Sequence, residues 1–195
     1  MLAFAIWVTE KCNLRCRYCY ENGNFARNRE MNNDIDDVLS FIDFFANKYP
    51  DDEILISFHG GEPLLKIDLI KNYVANLKQK YSEKVQFGIT TNGTLLTEKI
   101  AKVLNENFSD LSVSIDGLKA VHDKNRIYTS GEGSYDKILE NIEKSGIEKS
   151  RIRVRMTIMA ESSSYFKSSV ENLLDNGFYY IVPAVAANDN AWSEE

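Results

Sequence analysis

Phe4-Ala5-Ile6-Trp7-Val8 is an unbroken apolar run, and the chain soon reads Cys12-Asn13-Leu14-Arg15-Cys16-Arg17-Tyr18-Cys19. A short apolar run bounded by polar residues is the pattern of a buried strand. The cysteines therefore fall on the loop at that strand's carboxyl end. The same figure recurs downstream. The run 54–58 ends at His59-Gly60-Gly61, the run 85–89 at Thr91-Asn92-Gly93, and the run 111–115 at Asp116-Gly117. Further strands are predicted over 152–159 and 179–182.

Between these runs, apolar residues recur at helical spacing. Ile35, Val38, Leu39, Ile42 and Phe45 form the first such stripe, with Asn33 or Asp34 as its cap. Ile67, Ile70, Tyr73, Val74 and Leu77 form the second. Ile100, Val103 and Leu104 follow a capping Thr97, and Tyr135, Ile138, Leu139 and Ile142 end at Gly146. Phe166, Val170 and Leu173 mark the last helix. Six strand–helix steps result, the sixth without a clear following helix. Such alternation predicts an α/β fold with a parallel sheet and helices outside it. Six units are too few to close an eight-stranded barrel, so the expected form is a partial (β/α)6 TIM-like barrel. Function in such a fold sits at the carboxyl ends of the strands. That is where the four polar, glycine-punctuated clusters lie in phase. Residues 1–187 read as one core domain. Residues 188–195 read as a polar tail, or as the truncated start of a C-terminal region.

The chain has 195 residues, 44% hydrophobic and 27% charged, with a net charge of 23 − 29 = −6. An acidic balance argues against broad nucleic-acid binding, which wants a basic face. No apolar run approaches the roughly 20 residues of a membrane span. The apolar start lacks a basic n-region and soon meets Glu10 and Lys11, unlike a signal peptide. All three cysteines lie within eight residues, so no disulfide framework is expected, and a reducing, cytoplasmic compartment fits.

The C-x3-C-x2-C spacing of Cys12, Cys16 and Cys19 places three soft thiolates on one short loop. They suffice for three corners of an iron–sulfur cubane and leave the fourth iron without a protein ligand. A zinc site completed by His59 or His122 is the competing reading, but zinc usually takes two ligand pairs and neither histidine is paired. Arg15 and Arg17 either offset the charge of the thiolates or are ordinary surface residues. Tyr18 and Tyr20 either shield a cluster or pack.

The loop resembles the C-x3-C-x-aromatic-C signature of radical S-adenosylmethionine (SAM) enzymes, with Tyr18 as the aromatic residue. Gly60-Gly61-Glu62-Pro63 resembles their GGEP stretch, and Thr91-Asn92-Gly93 and Ser114-Ile115-Asp116-Gly117 resemble the stretches after their third and fourth strands. His122-Asp123 with Arg126 resembles the H-D-x-x-R run of the peptide- and protein-modifying branch. The resemblance implies a [4Fe–4S] cluster on Cys12, Cys16 and Cys19. It implies SAM contacts from Gly60, Gly61, Glu62, Asn92, Ser114, Asp116 and Arg126. Glu62 is then expected to meet the SAM amino group, with the bare glycines allowing close approach of a ligand. Arg126 is expected to meet the SAM carboxylate, unless it pairs with Asp123 instead. No catalytic acid or base stands out.

The implied activity is reductive cleavage of SAM to a 5′-deoxyadenosyl radical that takes a hydrogen atom from the substrate. The motif set looks most like anaerobic sulfatase maturases and peptide maturases, which implies a peptide or protein substrate. It also implies an external one-electron donor such as flavodoxin or ferredoxin. Those relatives carry auxiliary clusters in a cysteine-rich C-terminal extension, and no cysteine follows Cys19 here. The alternatives are an activase, a small-molecule-modifying radical SAM enzyme, or a non-catalytic iron–sulfur fragment.

Overall fold

The computed structural model describes residues 1–20, 34–187, 189, 191 and 192. Six strands form one parallel sheet in sequential order: β1 Leu2–Trp7, β2 Ile54–His59, β3 Val85–Thr91, β4 Asp110–Ser114, β5 Ile152–Ile158 and β6 Tyr180–Val185. Helices α1 Ile35–Lys48, α2 Ile67–Tyr81, α3 Glu98–Asn107, α5 Tyr135–Ser145 and α6 Phe166–Asp175 link them, with a short α4 Lys119–Asn125 ahead of α5. This is the partial barrel that the alternation predicts. Asp34 caps α1 by accepting from Asp36 N at 3.0 Å, and Thr97 caps α3 from Ile100 N at 3.3 Å. The alternative cap Asn33 and most of the polar stretch 188–195 lie outside the described residues.

Every strand has at least one end shifted from its predicted position. The first strand begins at Leu2, the third extends to Thr91, and the last runs on to Val185. Helix α4 has no counterpart in the sequence reading, since seven residues with the polar His122, Asp123 and Lys124 among them give no apolar stripe.

Strands β2 to β5 alternate between two different environments. The convex face carries Ile56, Phe58, Phe87, Val113, Ile152 and Val154, all buried against Ile70, Tyr73, Leu104, Ile138 and Ile142 of the helices. Each such side chain contributes about 1.5–3 kcal/mol through burial. Phe58 stacks on Phe87, with Phe108 tilted against both. The concave face is polar: Ser57, His59, Thr90, Ser112, Arg153 and Arg155 look into a cavity rather than a core. Among the described residues no helix is long and apolar enough to cross a membrane.

Candidate active site

The carboxyl ends of the strands surround a cavity of about 560 Å³. Nine of the ten residues singled out in the sequence line it: the three cysteines, Gly60, Gly61, Glu62, Asn92, Ser114 and Arg126. Asp116 is fully buried and pairs with Arg126.

The cysteine loop is seated on two walls. On one side, Gly61 N donates to Thr9 O and Glu62 N to Lys11 O, each at 2.9 Å. A Cβ at Gly60 would meet Thr9 O at 2.3 Å, and one at Gly61 would meet Lys11 O at 2.5 Å. The two glycines therefore serve the approach of the loop's own stem. On the other side, Leu14 bridges Tyr128, Arg15 N donates to Ile127 O at 2.7 Å, and Arg17 N donates to Asn125 O at 2.9 Å.

Glu62 is fully buried, and its oxygens accept from Leu64 N (3.0 Å), Thr91 Oγ1 (2.7 Å) and Asn92 N (2.7 Å). Burial raises its pKa and these three donors oppose the rise. Its carboxylate therefore pegs the β2 and β3 exits together. Asn92 in turn donates to Asn13 at 2.9 Å and points its amide at the Cys12 sulfur at 3.8 Å.

Arg126 does not pair with Asp123, which instead accepts from Tyr135 N at the start of α5. Its Nε donates to Asp116 Oδ2 at 3.1 Å. Asp116 also accepts from the Tyr18 hydroxyl and from Thr157 N, the latter at 2.9 Å. The guanidinium lies 5.1 Å from the Tyr18 ring centre, a cation–π distance. Tyr18 is thus part of a buried charge cluster, whereas Tyr20 is exposed at the rim.

Burial pushes the Cys12 thiol up to about 11 and raises that of Cys16, where the Arg126 charge opposes the rise. The guanidinium that acts on Cys16 is that of Arg126; Arg17 is exposed and held by Glu161 at 2.5 Å. His122 is buried: its Nδ1 accepts from Asp116 N at 3.2 Å, and its Nε2 faces Ser134 Oγ at 2.9 Å. His59 is stacked on Trp7 at 5.3 Å. Among the described residues, no three His, Cys, Asp or Glu side chains gather around one point as a single zinc ion requires.

The family model of the Radical SAM superfamily matches residues 6–173. The chain belongs to the radical SAM superfamily. It is 33% identical over 141 residues to a cysteine-type anaerobic sulfatase-maturating enzyme of Clostridium novyi, covering 69% of this chain and 37% of that protein. It is 29% identical over 188 residues to a GTP 3′,8-cyclase of Clostridium perfringens, covering 91% of this chain and 54% of that protein. The solved structure of native anSMEcpe with bound AdoMet and the Cp18Cys peptide superposes with a TM-score of 0.81 at 22% identity, over 99% of this chain and 53% of that one. That likeness establishes the fold. The chain spans 35% to 42% of the length of three curated relatives. Radical SAM chemistry uses a [4Fe–4S] cluster and SAM, so these are the cofactors of the chain's family.

The residues fit such a cluster. Three half-buried thiols face one cavity, and N–H donors already point at a sulfur: Leu14 N lies 3.4 Å from Cys12 Sγ. The radical SAM motifs do not contain every residue of the site. Arg155 sits on β5 as the register partner of Ser114, lines the cavity, and has no carboxylate partner among the described residues. Its charge, after burial, holds the His59 imidazole below its ordinary pKa. Deeper in, Arg153 is tied to Asp110 and to Ser112. The signal for both arginines was available in Ile152-Arg153-Val154-Arg155-Met156, where charges alternate with apolar residues along a strand.

Proposed function

We propose that the chain binds a [4Fe–4S] cluster through Cys12, Cys16 and Cys19, cleaves SAM reductively, and directs the radical at a peptide or protein substrate. The observation that carries this reading is the convergence of nine candidate residues on one cavity at the strand ends. Residues 1–187 are taken as the core domain that houses it. When bound, the cluster and SAM supply a one-electron cleavage that releases methionine and a hydrogen-abstracting 5′-deoxyadenosyl radical.

The chain's own residues do the rest. The thiolates of the cysteine loop hold the cluster beside Gly60 and Gly61. The Glu62 carboxylate behind that wall favours a cation in front of it, which suits the SAM ammonium. Ser114 and Arg155 place a hydroxyl beside a guanidinium, a pair suited to a carboxylate. We assign the SAM carboxylate to them in place of Arg126, whose Nε is committed to Asp116. The Trp7–His59 stack helps exclude water from the cavity.

The peptide substrate is supported by the likeness to sulfatase-maturating enzymes, and a flavodoxin or ferredoxin fits the need for an electron donor. A small-molecule substrate is the second reading. The likeness to GTP 3′,8-cyclase over 91% of the chain favours it.

The test is anaerobic reconstitution with iron and sulfide, then dithionite and SAM, with 5′-deoxyadenosine as the readout. A loaded cluster that yields none overturns the enzyme reading. Cys16→Ala is expected to lose both cluster and product, and retention of both would show the ligand set to be wrong. Deuterium transfer into 5′-deoxyadenosine from labelled peptide or small-metabolite fractions separates the two substrate classes.

A further inference from the structure

The H-D-x-x-R segment is placed in an unexpected way. With Ile127 and Tyr128, which follow it, the segment forms the seat of the cysteine loop. Asn125 and Ile127 accept the loop's Arg17 and Arg15 amides, and Tyr128 bridges Leu14, which is itself buried. Above this backbone rail, the carboxylate of Asp116 gathers three donors from three parts of the chain: the Tyr18 hydroxyl from the loop, Arg126 Nε, and Thr157 N from β5. His122 steadies the same point from beneath. Its Nδ1 takes the Asp116 amide, and its Nε2 reaches Ser134, which donates to Arg126 O at 2.7 Å. Asp116 is wholly buried and Arg126 only 7% exposed.

A buried ion pair is costly to form and gives little net stability over an apolar pair, so its retention points to geometry or charge. Here it does both. Tyr18 lies between the ligands Cys16 and Cys19, so tethering its hydroxyl fixes the middle of the ligand loop. The guanidinium stacked on Tyr18 lines the same cavity as the Cys16 thiol, and its charge acts on that thiol more strongly than the opposing charge of Asp116.

We propose that Tyr18, Asp116 and Arg126 are positioning residues that preset the cysteine loop before any metal arrives and fix one positive charge beside Cys16. This rests on the assignment of the cluster to Cys12, Cys16 and Cys19. The loop is then held ready rather than ordered by the cluster. The charge favours the reduced, more negative state of whatever the thiolates hold.

The two halves are tested separately. On the metal-free chain, hydrogen exchange reads the preset loop: the Arg15 and Arg17 amides are expected to be protected. Tyr18→Phe, which removes only the hydroxyl, is expected to speed their exchange about tenfold while leaving β3 amides unchanged. Equal exchange in both proteins overturns the preset. On the reconstituted protein, a redox titration followed by electron paramagnetic resonance reads the charge. Arg126→Gln is expected to weaken reduction roughly tenfold, about 59 mV for one electron. Arg126→Lys is expected to restore most of that loss. A wild-type potential in Arg126→Gln overturns the charge role, and a selective loss of SAM affinity in that variant would return Arg126 to the SAM carboxylate. Should the wild-type chain load no cluster, the assignment of the ligands and the charge role fall together. The exchange measurement still decides the preset.

Discussion

Glu62 shows how a residue expected to face a ligand is also engaged by its own fold. Its carboxylate accepts three protein donors at 2.7–3.0 Å with no exposed surface. Glu62→Gln keeps the shape but turns an amide nitrogen toward N–H and O–H groups that need an acceptor. Leaving a buried donor without its partner costs about 1–3 kcal/mol. The urea midpoint of the variant is therefore expected to fall by that equivalent, with an unchanged slope. An unchanged midpoint would mean that the carboxylate is not the peg between β2 and β3. At Arg155 the reverse holds, because the side chain lines the cavity with no carboxylate partner among the described residues. Arg155→Gln is expected to weaken SAM binding by tenfold or more while the cluster loads normally. Calorimetry on the reconstituted protein checks this, and an unchanged affinity would send the carboxylate elsewhere.

Among the elements, α4 has the largest consequence for its size. It brings His122 beneath the β4 exit, where burial above all, then the charges of Arg126 and Lys119, keep the imidazole neutral well below its ordinary pKa. The unfolded imidazole protonates below about pH 6.5 and the folded one does not. The stability that the neutral ring contributes is thus present above pH 6.5 and is lost as pH falls toward the folded value. His122→Gln is expected to be less stable at pH 7.5, yet to lose less on going to pH 5.5. Chemical denaturation at both values checks this, and parallel losses would contradict it. The strands and the long helices were legible because their apolar residues keep a strict period. The site was legible as far as the cysteines and the glycine-rich turns, since their spacing is local. Helix α4 was hidden because its buried residues are a valine, a histidine and an asparagine. The hydrogen bonds that Glu62 and Arg126 make within the protein were hidden because their partners, Thr91 and Asp116, are set by how the strand ends meet. Arg155 escaped notice because an arginine within an apolar strand looks like an interruption until the concave face is known to be a cavity.

At the scale of the molecule, the sheet runs in simple order, so β2 and β3 stand between β1 and β4. The cysteine loop leaves β1 and must cross the mouth to reach the segment after α4. Its landing point, the Leu14–Tyr128 bridge, joins residues 14 and 128. Contacts of such sequence separation close late in folding, because loop entropy must be met first. This bears on how the protein is made in the cell. On the ribosome all three cysteines emerge ahead of their second wall, which lies beyond the fourth strand. A nascent chain halted before Tyr128 therefore displays the thiols without the shelf that carries them. Under the proposed ligand set, iron delivery has an assembled receiver only after translation has passed the fourth strand.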